Sequence, residues 1–170
     1  MKLLRAQTGY TLIELLLYIA MIGMLLSAVA IFFGASADSR VKNQTVSEVD
    51  SQGTYLMDYI SQTIRNASSI SAPSIGTSSS SLTLTVPTAS LSPTIFSLSS
   101  GALQVKEGTA AAVSLTSDDI QVTAFTVKNL SRSGTPGIVQ ISLTLNRVNS
   151  TGRTEYDYAR TFTTSAGIRP

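Results

Sequence analysis

A chain of 170 residues suits one ordinary domain with an appendage, and the roughly one hundred residues beyond position 68 suffice for a small sheet-based core without a metal or disulfide staple. Cysteine and histidine are both absent, which excludes disulfides, thiolate chemistry, a Ser-His triad and the commonest zinc ligand. The formal charge of +2 comes from Lys2 and Arg5 in the first nine residues; without them ten Lys and Arg face ten Asp and Glu, so nucleic acid is not expected as a partner.

The first element is an almost uninterrupted apolar run from Leu15 to Gly34, with Glu14 at its leading edge and Lys2 and Arg5 ahead of it. About 20 such residues span a hydrocarbon core as a helix. Basic residues before the run place the short N-terminus in the cytoplasm and the rest of the chain outside, an N-in, C-out single-pass protein. A conventional signal peptide cleaved after Ala35-Ser36-Ala37 is disfavoured, because its apolar stretch would hold only about 7–15 residues and would not open on an acid. Glu14 is the informative residue here. A carboxylate in the bilayer centre costs about 2.5–3.5 kcal/mol or more unless something pairs with it, and the alternative is a side chain snorkelling to the headgroups.

Gly9-Tyr10-Thr11-Leu12-Ile13-Glu14, behind a short basic leader, resembles the type III signal of type IV pilins and type II secretion pseudopilins, with Tyr10 where most members have Phe. The resemblance implies cleavage between Gly9 and Tyr10 by a prepilin peptidase, N-methylation of Tyr10, and assembly with other pilin or pseudopilin subunits. It further implies a polytopic assembly platform and a cytoplasmic assembly ATPase as partners. By the same resemblance the subunit waits in the cytoplasmic membrane before entering an extracytoplasmic filament. The physical logic agrees with it. Glycine can lie extended in a protease cleft, and cleavage leaves an α-ammonium at Tyr10 one helical turn from Glu14. In an assembling filament the ammonium of an incoming subunit can neutralise Glu14 of its neighbour, giving assembly a direction and a register. Many major pilins carry a proline in the apolar half of this helix, which this chain lacks; the resemblance therefore favours a minor subunit. The run Tyr55 to Ser74 is similar to the J-like minor pseudopilins.

No proline precedes Pro73, so the helix is expected to continue past Asp38. Gly34 and the serines at 36 and 39 weaken propensity at the junction and mark a place for a bend. Val46, Val49, Gly53, Leu56 or Met57, Ile60, Ile64 and Ala67 then recur at spacings of three and four, the mark of an amphipathic helix with one core face. Beyond Ser68 the texture turns to Ser, Thr, Gly and β-branched residues. Ser74 to Ser81 reads as a loop. Strands are expected at Leu82–Val86, Thr94–Leu98, Ala102–Val105, Ala112–Leu115, Ile120–Val127, Ile138–Val148 and Tyr156–Thr164, several alternating apolar with polar. Turn signals around Ser100-Gly101, Ser133 to Gly137 and Asn149 to Gly152 join them as an antiparallel sheet. The fold class is α+β and pilin-like: a long N-terminal helix packed on a small antiparallel β-sheet. Its parts are a leader (1–9), a transmembrane or filament-core helix (10–37), an amphipathic continuation (38–68) and a sheet ectodomain (69–170).

Other chemistry is scarce. Asp118-Asp119 with Glu107 suits a capped turn better than calcium, which needs six or more oxygens. Lys128, Arg132, Arg147, Arg153 and Arg160, with Tyr156 and Tyr158, suit ordinary strand surface better than a DNA-binding patch, since Glu155 and Asp157 lie among them. Nothing suggests a cofactor, a metal or an enzyme. The sequence reads as a structural subunit, a minor pilin or pseudopilin, of a type IV pilus, type II secretion or DNA-uptake filament. The alternatives are a major pilin and a membrane-anchored ligand-binding ectodomain that does not assemble.

Overall fold

The computed structural model describes residues 11–169. One α-helix, α1, runs Leu12–Arg65 over 54 residues. With no proline along it, each backbone N–H past the first turn can join the i→i−4 ladder. Gly34, Ser36 and Ser39 are helical like their neighbours, because the propensity they forfeit is at most about 1 kcal/mol each and does not break a long helix. By internal contacts the chain forms two units, Met1–Arg40 and Val41–Pro170.

In the second unit α1 buries Val49, Leu56, Met57, Ile60 and Ile64, the stripe expected from the three-and-four spacing, and Gly53 lies on the same stripe. One position differs. Thr45 is fully buried while Val46 is only half-buried, and the Thr45 hydroxyl is satisfied by donating to the Val41 carbonyl at 3.0 Å. A hydroxyl bonded back to its own helix removes the cost of burying it. The helix ends with Arg65 in its last turn, where a cation complements the dipole, and the Arg65 carbonyl accepts the Arg169 N–H at 3.2 Å.

Nine strands follow: β1 (Ser69–Ala72), β2 (Ser78–Ser79), β3 (Ser81–Thr85), β4 (Thr94–Ser99), β5 (Ala102–Glu107), β6 (Val113–Ser114), β7 (Ile120–Asn129), β8 (Ile138–Arg147) and β9 (Ala159–Gly167). They form two sheets rather than one, in the orders β1-β3-β4-β5-β6 and β2-β7-β8-β9, with every pairing antiparallel. Alternation shows which face of a strand is buried but not which strand lies beside it, so the division was not readable from the pattern. Val139, Ile141, Leu143 and Leu145 of β8 are fully buried, and they join Leu82, Leu84 and Phe96 of the first sheet and the α1 stripe in one core. Each such side chain contributes about 1.5–3 kcal/mol by leaving water.

Three other segments depart from expectation. Within the Ser74–Ser81 stretch, Ser78 and Ser79 pair with Lys128 and Val127 and Ser81 opens β3. Backbone pairing at the sheet rim tolerates serine because the ladder uses only main-chain groups. The short β1 has no expected counterpart, because SISA offers too brief an alternation to mark a strand. The last strand starts later than Tyr156: a 3-10 turn occupies Thr154–Tyr156 and β9 begins at Ala159. Between β4 and β5, Ser100 and Gly101 both have positive φ (51° and 79°), the geometry of a two-residue hairpin turn, as the Ser-Gly signal suggested.

Candidate functional site

Thr11 opens α1. Its carbonyl accepts the Leu15 N–H at 3.2 Å, and its hydroxyl oxygen accepts the Glu14 N–H at 3.3 Å. Thr11 is thus the N-cap, and the spacing of Thr11 and Glu14 is that of a capping box. Glu14 consequently sits in the first turn, where the helix dipole favours a negative charge. Its carboxylate accepts a hydrogen bond from the Tyr18 hydroxyl at 3.2 Å, one turn on.

Both contacts were within reach of the sequence. Thr-x-x-Glu is a capping signature and Tyr18 is four residues beyond Glu14, although the motif resemblance names only the ammonium as partner. One carboxylate can accept several hydrogen bonds, so the tyrosine contact leaves acceptor capacity on Glu14 for a cation. Gly9, Tyr10, Lys2 and Arg5 lie outside the described residues, so the cleavage and methylation positions rest on the sequence resemblance alone.

From Leu12 to Phe33 the large apolar side chains are exposed on all sides of the helix, including Leu12 at 79%, Met24 at 78% and Ile31 at 74%. A helix that is apolar all round needs an apolar surrounding, either lipid or other helices. Its length and composition suffice to cross a membrane. The polar atoms inside the run are handled within the helix itself. Ser27 donates to the Met24 carbonyl at 2.8 Å, and Tyr18 donates to Glu14. Such internal bonding is what a nonpolar surrounding demands, since water is not there to supply it. Glu14, half-buried, is the one acid in this segment.

The cations considered for a nucleic-acid surface are mostly tied to acids in the second unit. Arg147 pairs with Glu48 and Arg160 with Asp50, each joining a strand to α1, and Arg153 pairs with Glu155 at 3.2 Å. Asp50 holds the Arg160 guanidinium above its usual range, first through their hydrogen bond and then through charge. The Tyr156 ring lies 5.0 Å from the Arg147 guanidinium and 5.9 Å from that of Arg153. Arg147 and Arg160 fasten the sheet to the helix, while the Arg153 pair stays within its own turn. Asp118 and Asp119 occupy a turn in which the Ser117 carbonyl accepts the Ile120 N–H at 3.2 Å, and Glu107 ends β5. Among the described residues no three acidic side chains gather as a metal site.

No curated protein and no solved structure matches the chain. Residues 4–30 match the prokaryotic N-terminal methylation motif, a stretch that contains the Gly9–Glu14 segment and most of the apolar run. That motif is the signature of type IV pilins and pseudopilins, and the long helix packed on antiparallel sheets is an α+β fold consistent with a pilin-like one.

Proposed function

We propose that this protein is a minor pilin or pseudopilin, a structural subunit cut between Gly9 and Tyr10, methylated on Tyr10 and drawn from the cytoplasmic membrane into a filament. The observation that carries the reading is Glu14, the one acid of an all-apolar segment, held in the first helical turn within the methylation motif. Before assembly the Tyr10 ammonium and Glu14 lie near the membrane boundary with the short leader side inward. In the filament, Glu14 of one subunit accepts the ammonium of the next, and the pair removes the desolvation penalty that either charge would meet alone. The Tyr18 hydroxyl holds the carboxylate for that contact. An assembly platform and a cytoplasmic ATPase would supply the extraction, and the absence of proline from the apolar half favours a minor role.

The test is Glu14→Ala. The variant is expected to be cleaved at the wild-type level, because the cut lies five residues away, yet to appear in sheared filaments at a tenth of the wild-type amount or less. Wild-type incorporation would contradict the pairing. A variant that is neither cleaved nor incorporated would show that Glu14 serves the peptidase instead.

A further inference from the structure

The sheets of the second unit end in four edges, and three of them carry a device that blocks further pairing. The four-residue β1 shifts register between Ile70 and Ala72 and runs into Pro73. β2 and β6 are two residues each. Where β2 leaves β7 open, β7 has its own register shift between Val122 and Ala124, and the Gly101 carbonyl takes the Val122 N–H at 2.8 Å. β9 has none of these protections. It is nine residues long, pairs with β8 in unbroken register, contains no proline and carries no charge after Arg160.

The bonds at either end of this ladder reveal which groups point outward. Arg147 N–H donates to the Tyr158 carbonyl at 3.2 Å and Ile168 N–H to the Gly137 carbonyl at 2.8 Å. With the intervening register, Arg160, Phe162, Thr164 and Ala166 are the residues that exchange bonds with β8. Thr161, Thr163 and Ser165 therefore direct their N–H and C=O groups away from β8. Among the described residues no other backbone group meets them. Beside this edge a polar groove of about 790 Å³ is lined by Asp58, Ser61 and Arg65 of α1 and by Thr164, Gly167 and Arg169. Arg65 and Arg169 both line it and are joined through the Arg169 N–H and the Arg65 carbonyl, and among the described residues neither guanidinium has an ion-pair or hydrogen-bond partner.

We propose that β9 is a docking edge for an extended segment of another protein, which adds a strand to the second sheet and brings a carboxylate to Arg65 and Arg169. Main-chain bonds to Thr161, Thr163 and Ser165 hold the segment whatever its side chains, and the two guanidiniums select an acidic end. A second copy of this chain is the poorer occupant, because β9 itself contains no acid to offer. The inference is independent of how the N-terminus is processed.

Fluorescence anisotropy on the full chain in detergent tests it, using a labelled heptapeptide that alternates valine and threonine and ends in two glutamates. Saturable binding is expected, unchanged in Thr163→Ala and at least tenfold weaker in Thr163→Pro and in the Arg65→Ala, Arg169→Ala double variant. Proline at 163 removes an outward N–H and no bond to β8, so the thermal midpoint of Thr163→Pro should match wild type. The same peptide N-methylated throughout should bind at least tenfold more weakly, which decides the matter even if the proline variant fails to fold. No saturable binding, or equal binding of the N-methylated peptide, overturns the proposal. Concentration-dependent dimerisation abolished by Thr163→Pro would assign the edge to a second copy and overturn the occupant proposed.

Discussion

Gly53 shows how much one absent side chain can decide. A Cβ built there would lie 2.2 Å from the Phe162 ring of β9, so this glycine is the notch that lets the ring settle on α1. Alanine in a helix is about 1 kcal/mol better than glycine, whereas overfilling a packed contact costs about 1–3 kcal/mol. Crowding should win while the ring is present. Gly53→Ala is predicted to lower stability by up to about 2 kcal/mol in the wild-type background and to raise it by about 1 kcal/mol in Phe162→Ala. Chemical denaturation of the four proteins of that cycle reads the reversal of sign, and a loss in both backgrounds would deny the notch. In the sequence Gly53 was visible as a member of the core stripe. Its partner was not, because a contact 109 positions away leaves no local pattern. Glu14 was legible for the opposite reason, since the Gly9–Glu14 segment and the apolar run that single it out are its immediate neighbours in the chain.

Periodicity reported the elements well where one face is buried and poorly where none is. α1 was readable from the missing proline and the three-and-four spacing, and its end at Arg65 falls next to the last apolar position of that stripe within the helix, Ile64. β8 was the clearest strand because every second residue is fully buried. β2 is a two-residue pairing whose serines carry no signal, whereas the equally short β6 falls inside the expected Ala112–Leu115. The delayed start of β9 reflects Arg153 to Asp157, which form a turn although Tyr156 and Tyr158 suggest a strand. The two faces of β8 give a direct check. Leu143→Ala should cost about 2–5 kcal/mol by opening a cavity, while the neighbouring Thr144→Ala on the other face should stay within about 0.5 kcal/mol. Equal losses measured by denaturant midpoint would mean that the buried face has been misassigned. The ion pairs from α1 to the strands, Glu48 with Arg147 and Asp50 with Arg160, are partly exposed, so solvent screening leaves them a small part in stability. Their larger effect is to neutralise cations that otherwise resemble a polyanion surface.

At the scale of the whole chain, function divides along the sequence. The charge excess belongs to the leader, the apolar surface belongs to residues 12–34, and the packed core belongs to residues 45 onward. The first of these would be removed by the proposed processing, the second needs lipid or neighbouring helices, and the third folds around its own apolar face. The proposed pilin role rests on the N-terminal methylation motif at residues 4–30 and on the apolar helix that it leads into. The most direct measurement is the intact mass and N-terminal fragment spectrum of the protein recovered from its own cells. A processed subunit is predicted to begin at Tyr10 with one methyl group on its α-amine. A chain that retains Met1, or one that begins at Asp38 after cleavage behind Ala37, would contradict assembly through Tyr10 and Glu14.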